Sequence, residues 1–470
     1  MVMDDPLDFE EEDRLLSNTR ATTKRRRKVI GLDDLLTDYC IEKKKLVHCK
    51  SKRSNASKGY NSDDEDKKMR ENEITFCKFV NNCQKQVNEI DTEDDVSLWG
   101  QKVFGQQKLP PVPEFSGLGN CNLLQSFSEN ELTSAFDMNV GQGDTFLEGL
   151  LMNGWLSTLA FRSGFVEDPI ATWTLQKVVL YSPNEELQVS ACDFWCKILL
   201  SQNKVDQPLV KLGLFPSYSI LQDALITYGY LYDTSYNCSS TSQDVPTDSL
   251  CEGPPGNISS WIRVLSACCQ IRNVRPIFST SEAEEFLTIV IFLFLDRELQ
   301  GLALILSACL QSIIYFFSES EWNVSCMKVA ESIAYRVPKD LNCLRIVECI
   351  TGVDSRSKHL RSQLALQILM KCFDRKVTDV KETLELLIST NVKEKSCNFF
   401  KLHIYLVLAD NFLLSSHLFE ERSVIMDMWC KYLRNCSSQI TSTDWRSYAS
   451  KVRNKASYLL QNMIPRRNSE

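Results

Sequence analysis

Glycine and proline are scarce in this chain: 470 residues contain 17 and 14 of them. All-β proteins need many tight turns and use those residues to make them. Their scarcity excludes a sandwich or barrel and favours helices joined by short polar loops. Histidine is scarcer still, at His48, His359, His403 and His417. None has a glutamate at the spacing of a zinc-protease helix, and no G-x-S-x-G, P-loop or kinase signature set occurs. Gly117-Leu-Gly119 and Gly141-Gln-Gly143 lack the preceding strand and third glycine of a dinucleotide loop. Acid pairs such as Glu284/Glu285 and Glu420/Glu421 lie near expected helix starts, where the helix dipole accounts for them. These absences point away from an enzyme, a cofactor and a small-molecule substrate.

Long apolar runs are also missing. The most apolar stretch, Phe286 to Phe317, is interrupted by Asp296, Arg297 and Glu298. Its two halves, Phe286–Leu295 and Leu302–Phe317, fall short of the roughly 17 residues that a membrane helix needs, so two buried helices are expected. The acidic start Met1-Val2-Met3-Asp4-Asp5 lacks the basic and apolar regions of a secretory signal. Nineteen cysteines are present, yet no C-x2-C pairs them at zinc-ligand spacing. Cys192, Cys268, Cys309, Cys326, Cys372 and Cys430 sit inside apolar helical patterns and read as reduced core residues. A net charge of -8 argues against non-specific nucleic-acid binding by the whole chain but leaves room for a local basic site; a direct DNA contact is left open.

What is present has a clear order. Residues 1–28 and much of 50–119 are polar and charged, with too little apolar surface to offset ordering entropy, and are expected to be disordered or extended. Within the arm, Lys24, Arg25, Arg26, Arg27 and Lys28 form a run of bases that reads as a nuclear-import signal, and the expected location is the nucleus. Ser62 precedes Asp63, Asp64, Glu65 and Asp66 as a candidate acid-directed phosphorylation site. Between the polar segments, at 29–49, Leu32, Leu35, Leu36 and Tyr39 fall on one helical stripe, with Asp33 and Asp34 early and Lys43 to Lys45 late. Such a short helix must dock on its own body or on a partner. A Pro/Gly connector, 105–122, precedes the body.

The body reads as helical in two parts, 120–232 and 259–463, around a Ser/Pro/Gly-rich linker or loop at 233–258. Asp144 is the expected N-cap of its first helix, and Pro169 opens the next. Trp155, Trp173, Phe194 and Trp195 are expected in the core. In the second part the patterning predicts helices at 259–272, 281–297, 299–317, 322–336, 340–350, 356–373, 378–389, 396–416, 421–435 and 443–462. The expected fold class is all-α. Helix pairs at roughly 40-residue spacing suggest an irregular α-solenoid of the HEAT or armadillo type.

Two stretches carry a resemblance. Leu32-Asp33-Asp34-Leu35-Leu36 with Glu42-Lys43-Lys44-Lys45-Leu46 precedes the proline-rich connector, and FLEGLLMNGWLSTLAFRSGFVEDPIATWTLQKVVLYSPNEELQVSACDFWCKILL follows at 146–200. The arrangement resembles the CANIN-type domain of the SMC five–six complex localisation factors, over roughly residues 29–200. The resemblance implies a helical adaptor for genome maintenance and DNA repair. Its protein partners would be Nse or SMC subunits, and it would have no activity of its own. The alternative is a helical scaffold of another nuclear or cytoplasmic assembly, in RNA processing or transport.

Overall fold

Short polar side chains set where the helices begin. Asn184, Ser217, Ser279, Ser318 and Asp354 each accept a bond from a backbone amide of the first turn that follows. Ser279 with Glu282, and Ser318 with Glu321, are full capping boxes. The computed structural model describes residues 99–111, 121–122, 140–203, 210–232, 253–373, 380–415 and 423–463. All lie in one compact unit, Asn88–Glu470; the other unit, Met1–Val87, lies outside the described residues. So do the basic cluster, the leucine helix, Ser62 and most of the 233–258 linker.

The first part contains α1 (Val140–Met152), α2 (Trp155–Ser163), the strand β1 (Phe165–Val166) and α3 (Asp168–Thr172). The chain then passes into a π-helical stretch, Trp173–Val179, and on to α4 (Glu185–Ser201), β2 (Lys211–Leu212) and α5 (Tyr218–Thr227). The two short strands pair in parallel, Phe165 with Lys211 and Val166 with Leu212. Pro169 sits in the first turn of α3, where its missing N–H costs no intrahelical bond. Asp144 does not cap α1: the helix starts four residues earlier, at Val140, so Asp144 is internal.

Ten more helices make up the second part: α6 (Ile258–Gln270), α7 (Thr280–Leu293), α8 (Ala303–Phe316), α9 (Glu319–Arg336), α10 (Asn342–Glu348), α11 (Ser355–Cys372), α12 (Val380–Ser389), α13 (Phe399–Ser415), α14 (Ser423–Gln439) and α15 (Ala449–Met463). The described residues are thus all-α apart from the β1–β2 pair and one isolated bridge. Helices two apart in sequence pack together repeatedly. α4 lies on α6, α6 on α8 and α12 on α14, while α7 lies on α9, α9 on α11, α11 on α13 and α13 on α15.

The helical stretch Arg297–Phe316 is long and apolar enough to cross a membrane by composition alone. Here it begins as a 3-10 turn, Arg297–Leu302, and its Leu306, Cys309, Leu310, Ile313 and Ile314 are buried where α8 packs on α6 and α7. One face of the stretch therefore packs into the core, while Leu304 and Tyr315 on the other are exposed. The thiols of Cys268 and Cys309 are fully buried and pushed well above their ordinary range by desolvation. Burial raises Cys436 to about 11 and Cys326 to about 12, so these groups stay neutral and act as small apolar side chains.

One stretch of the expected connector belongs to the body. Residues 99–111 lie along it as an extended strap, with Val103 and Phe104 buried and Phe104 bridged antiparallel to Tyr230. The amides of Gln101, Gly105 and Lys108 donate to the carbonyls of Leu295, Gly229 and Thr227 at 2.8–2.9 Å. The buried carboxylate of Asp296 accepts the Val103 amide at 3.2 Å. Trp99 lies between the guanidinium groups of Arg297 and Arg345, each 5.0 Å from its ring.

Candidate interaction surface

The segment that carries the CANIN resemblance holds an exposed aromatic patch. α2 is bracketed by Gly154 and Gly164, both at φ 72, a left-handed conformation that suits a residue without Cβ. Between them Leu156, Ser157 and Ala160 face inward. Trp155 precedes that face by one residue, a rotation of about 100°, and points outward with 60% of its surface exposed. The expectation that Trp155 belongs to the core is therefore corrected. Phe165 just beyond α2 and Met152 just before it are also about half exposed. Phe165 also lines a cavity of about 250 Å³, with Leu156, Ala160, Val166, Ile170 and Phe194 as its other main apolar walls. The Asn122 amide donates to a Glu167 carboxylate oxygen at 2.8 Å.

The other three aromatics lie inside. Trp173, Phe194 and Trp195 are buried, with the Phe194 and Trp195 rings edge to face at 6.1 Å. The Trp195 indole N–H donates to Thr174 Oγ1 at 3.1 Å, and that hydroxyl donates to the Ile170 carbonyl at 2.7 Å. The first bond ties α4 to the π-helical stretch, and the second ties that stretch back to α3.

A polar groove of about 390 Å³ runs between α7 and α9. Glu284 and Glu285 line it, and both are engaged; the other flagged pair, Glu420/Glu421, lies outside the described residues. Ser325 Oγ donates to Glu284 at 2.7 Å, with Lys328 Nζ 3.7 Å from the same carboxylate. Tyr218 OH donates to Glu285 at 2.6 Å. Burial, then the Glu285 carboxylate, push the Tyr218 phenol above its ordinary range. These bonds join α5, α7 and α9. Among the described residues no group of three or more His, Cys, Asp or Glu side chains could hold a metal ion.

Sequence reasoning passed over Phe165, Tyr335 and Trp445, three of the more exposed large apolar side chains. Phe165 follows a helix-ending glycine, a local signal that the α2 face stops there. Tyr335 and Trp445 carry no such mark. No family model, curated protein or solved structure matches the chain.

Proposed function

We propose that this chain is a non-catalytic nuclear adaptor that binds an SMC five–six type chromosome-maintenance complex and recruits or loads it in DNA repair. The scaffold of this reading is an irregular HEAT-like solenoid. The observation that carries it is the recurrence of helix pairs. First helices begin at Ile258, Ala303, Asn342, Val380 and Ser423, a period of about forty residues. Second helices stack on second helices throughout, as successive repeats of a solenoid do. Solenoids present extended surfaces and serve binding more than chemistry.

The specific partner is inferred from the CANIN resemblance, and the α2 patch in that segment supplies the aromatic anchors that protein interfaces favour. The basic run Lys24 to Lys28 supports entry to the nucleus. The test is reconstitution. The purified full chain, mixed with recombinant Nse and SMC subunits, should co-elute with them in gel filtration, and Trp155→Ala with Phe165→Ala should weaken the complex. Separate elution at micromolar concentrations would contradict the reading.

A further inference from the structure

The far end of the chain carries a second surface of different chemistry. The turn between α14 and α15 places Trp445 in solvent with 76% of its surface exposed. The turn itself is pinned. Arg446 donates to the Glu394 carbonyl at 2.6 Å and the Val392 carbonyl at 3.1 Å, pairs with Asp444 at 2.7 Å and stacks 4.4 Å over Phe399. Tyr448 holds φ 64, a left-handed backbone that residues with a Cβ rarely adopt. Its ring is fixed 5.1 Å from Phe400 and 5.3 Å from His403, with Lys451 Nζ 4.4 Å above it. The exposed indole thus stands on a rigid base.

Around that base the exposed charge is mainly basic. Lys393 and Lys395 each follow directly on one of the two carbonyls that Arg446 holds, and both are exposed. Of the acids close in the chain, Asp444 is engaged by Arg446, which leaves Glu394.

We propose that this turn binds single-stranded nucleic acid, with a base stacked on Trp445 and the neighbouring phosphates on Lys393 and Lys395. An open indole on a turn pinned against a segment with two exposed lysines suits stacking and phosphate contact. A protein partner fits less well, because lysine is depleted in protein interfaces. The inference is independent of the adaptor reading and survives its failure.

The experiment is fluorescence anisotropy with the full chain and a labelled twenty-residue oligothymidylate at low salt. Wild type should bind, and raising the salt should weaken binding steeply. Trp445→Ala should weaken it about tenfold, Trp445→Phe should retain most of it, and K393E with K395E should abolish it. Unchanged melting of the variants shows that they fold. Three results would overturn the proposal: no binding by wild type, equal binding by Trp445→Ala, or displacement of oligothymidylate by no nucleic acid but by a polyglutamate peptide.

Discussion

Arg272 Nη2 lies 2.8 Å from a Glu321 oxygen, joining the turn two residues past α6 to the first turn of α9. Arg272 also donates to the carbonyl of Phe316, the last residue of α8, and stacks 4.4 Å over its ring. One side chain thus ties three helices across a repeat boundary. Arg356 does the same from the next pair, donating to the Phe317 carbonyl and to Glu319, each at 2.6 Å. Arg272→Ala should destabilise the body by about 1–2 kcal/mol, since charge-assisted bonds at a partly exposed site are lost. Urea denaturation followed by circular dichroism measures it.

The same contact carries a pH signature. The amide and hydroxyl of Ser318, and then Arg272 and Thr280, hold the Glu321 carboxyl down to about 2. Its folded value lies below its unfolded one. The group therefore adds stability above about pH 4.5 and loses that contribution as pH falls towards 2. The stability gap between wild type and Glu321→Gln should be widest near neutral pH and close in acid. A gap that stays constant between pH 6 and pH 3 would contradict this assignment.

Two tryptophans separate core from surface. Trp195→Ala removes a fully buried ring and a bond to Thr174 and should cost about 3–5 kcal/mol. Trp155→Ala should change stability by less than about 0.5 kcal/mol while lowering partner affinity. Comparable losses for both would place Trp155 in the core after all.

Phe104 is the strap's fully buried ring. Phe104→Ala should cost about 3–5 kcal/mol of local stability. It should also speed hydrogen exchange at the amides of Gln101, Gly105 and Lys108, which bond to the body. Slow exchange in that variant would mean that Asp296 and Trp99 hold the strap without the ring.

The helices of the second part were legible because apolar side chains recur every three or four residues along them; each expected helix there overlaps an observed one, although α8 starts late after a 3-10 turn and α15 starts at Ala449, so the expected helical start at 443 is corrected to a turn that holds Trp445. The repeat was less legible, although Ser279-x-x-Glu282 and Ser318-x-x-Glu321 mark equivalent helix starts in successive pairs. The strap gave no signal, because Val103 and Phe104 are two apolar residues in a polar stretch and their partners, such as Asp296 and Tyr230, are more than a hundred residues away. Trp155 misled because periodicity places a residue on a helix but cannot tell which side of a nine-residue helix faces the core. Trp445 lies in a turn, where no period operates.

The basic run makes its own prediction. A fluorescent fusion with alanine at Lys24, Arg25, Arg26, Arg27 and Lys28 should leave the nucleus, and imaging with wild type alongside decides it. Undiminished nuclear signal would remove this run as the import signal.

The most direct test of the adaptor role is affinity purification of the tagged full chain from its native cells, read by mass spectrometry, with wild type compared to Leu35→Asp and Leu36→Asp together. The sequence spacing places those leucines with Leu32 and Tyr39 on one expected helical stripe, outside the described residues, and a helix that short needs a docking partner to be stable. Burial of each is worth roughly 1.5–3 kcal/mol, and a charge in its place forfeits that. Wild type should recover SMC and Nse subunits, and the double variant should lose them. Recovery of an RNA-processing or transport assembly by wild type, with no SMC subunit, would contradict the account.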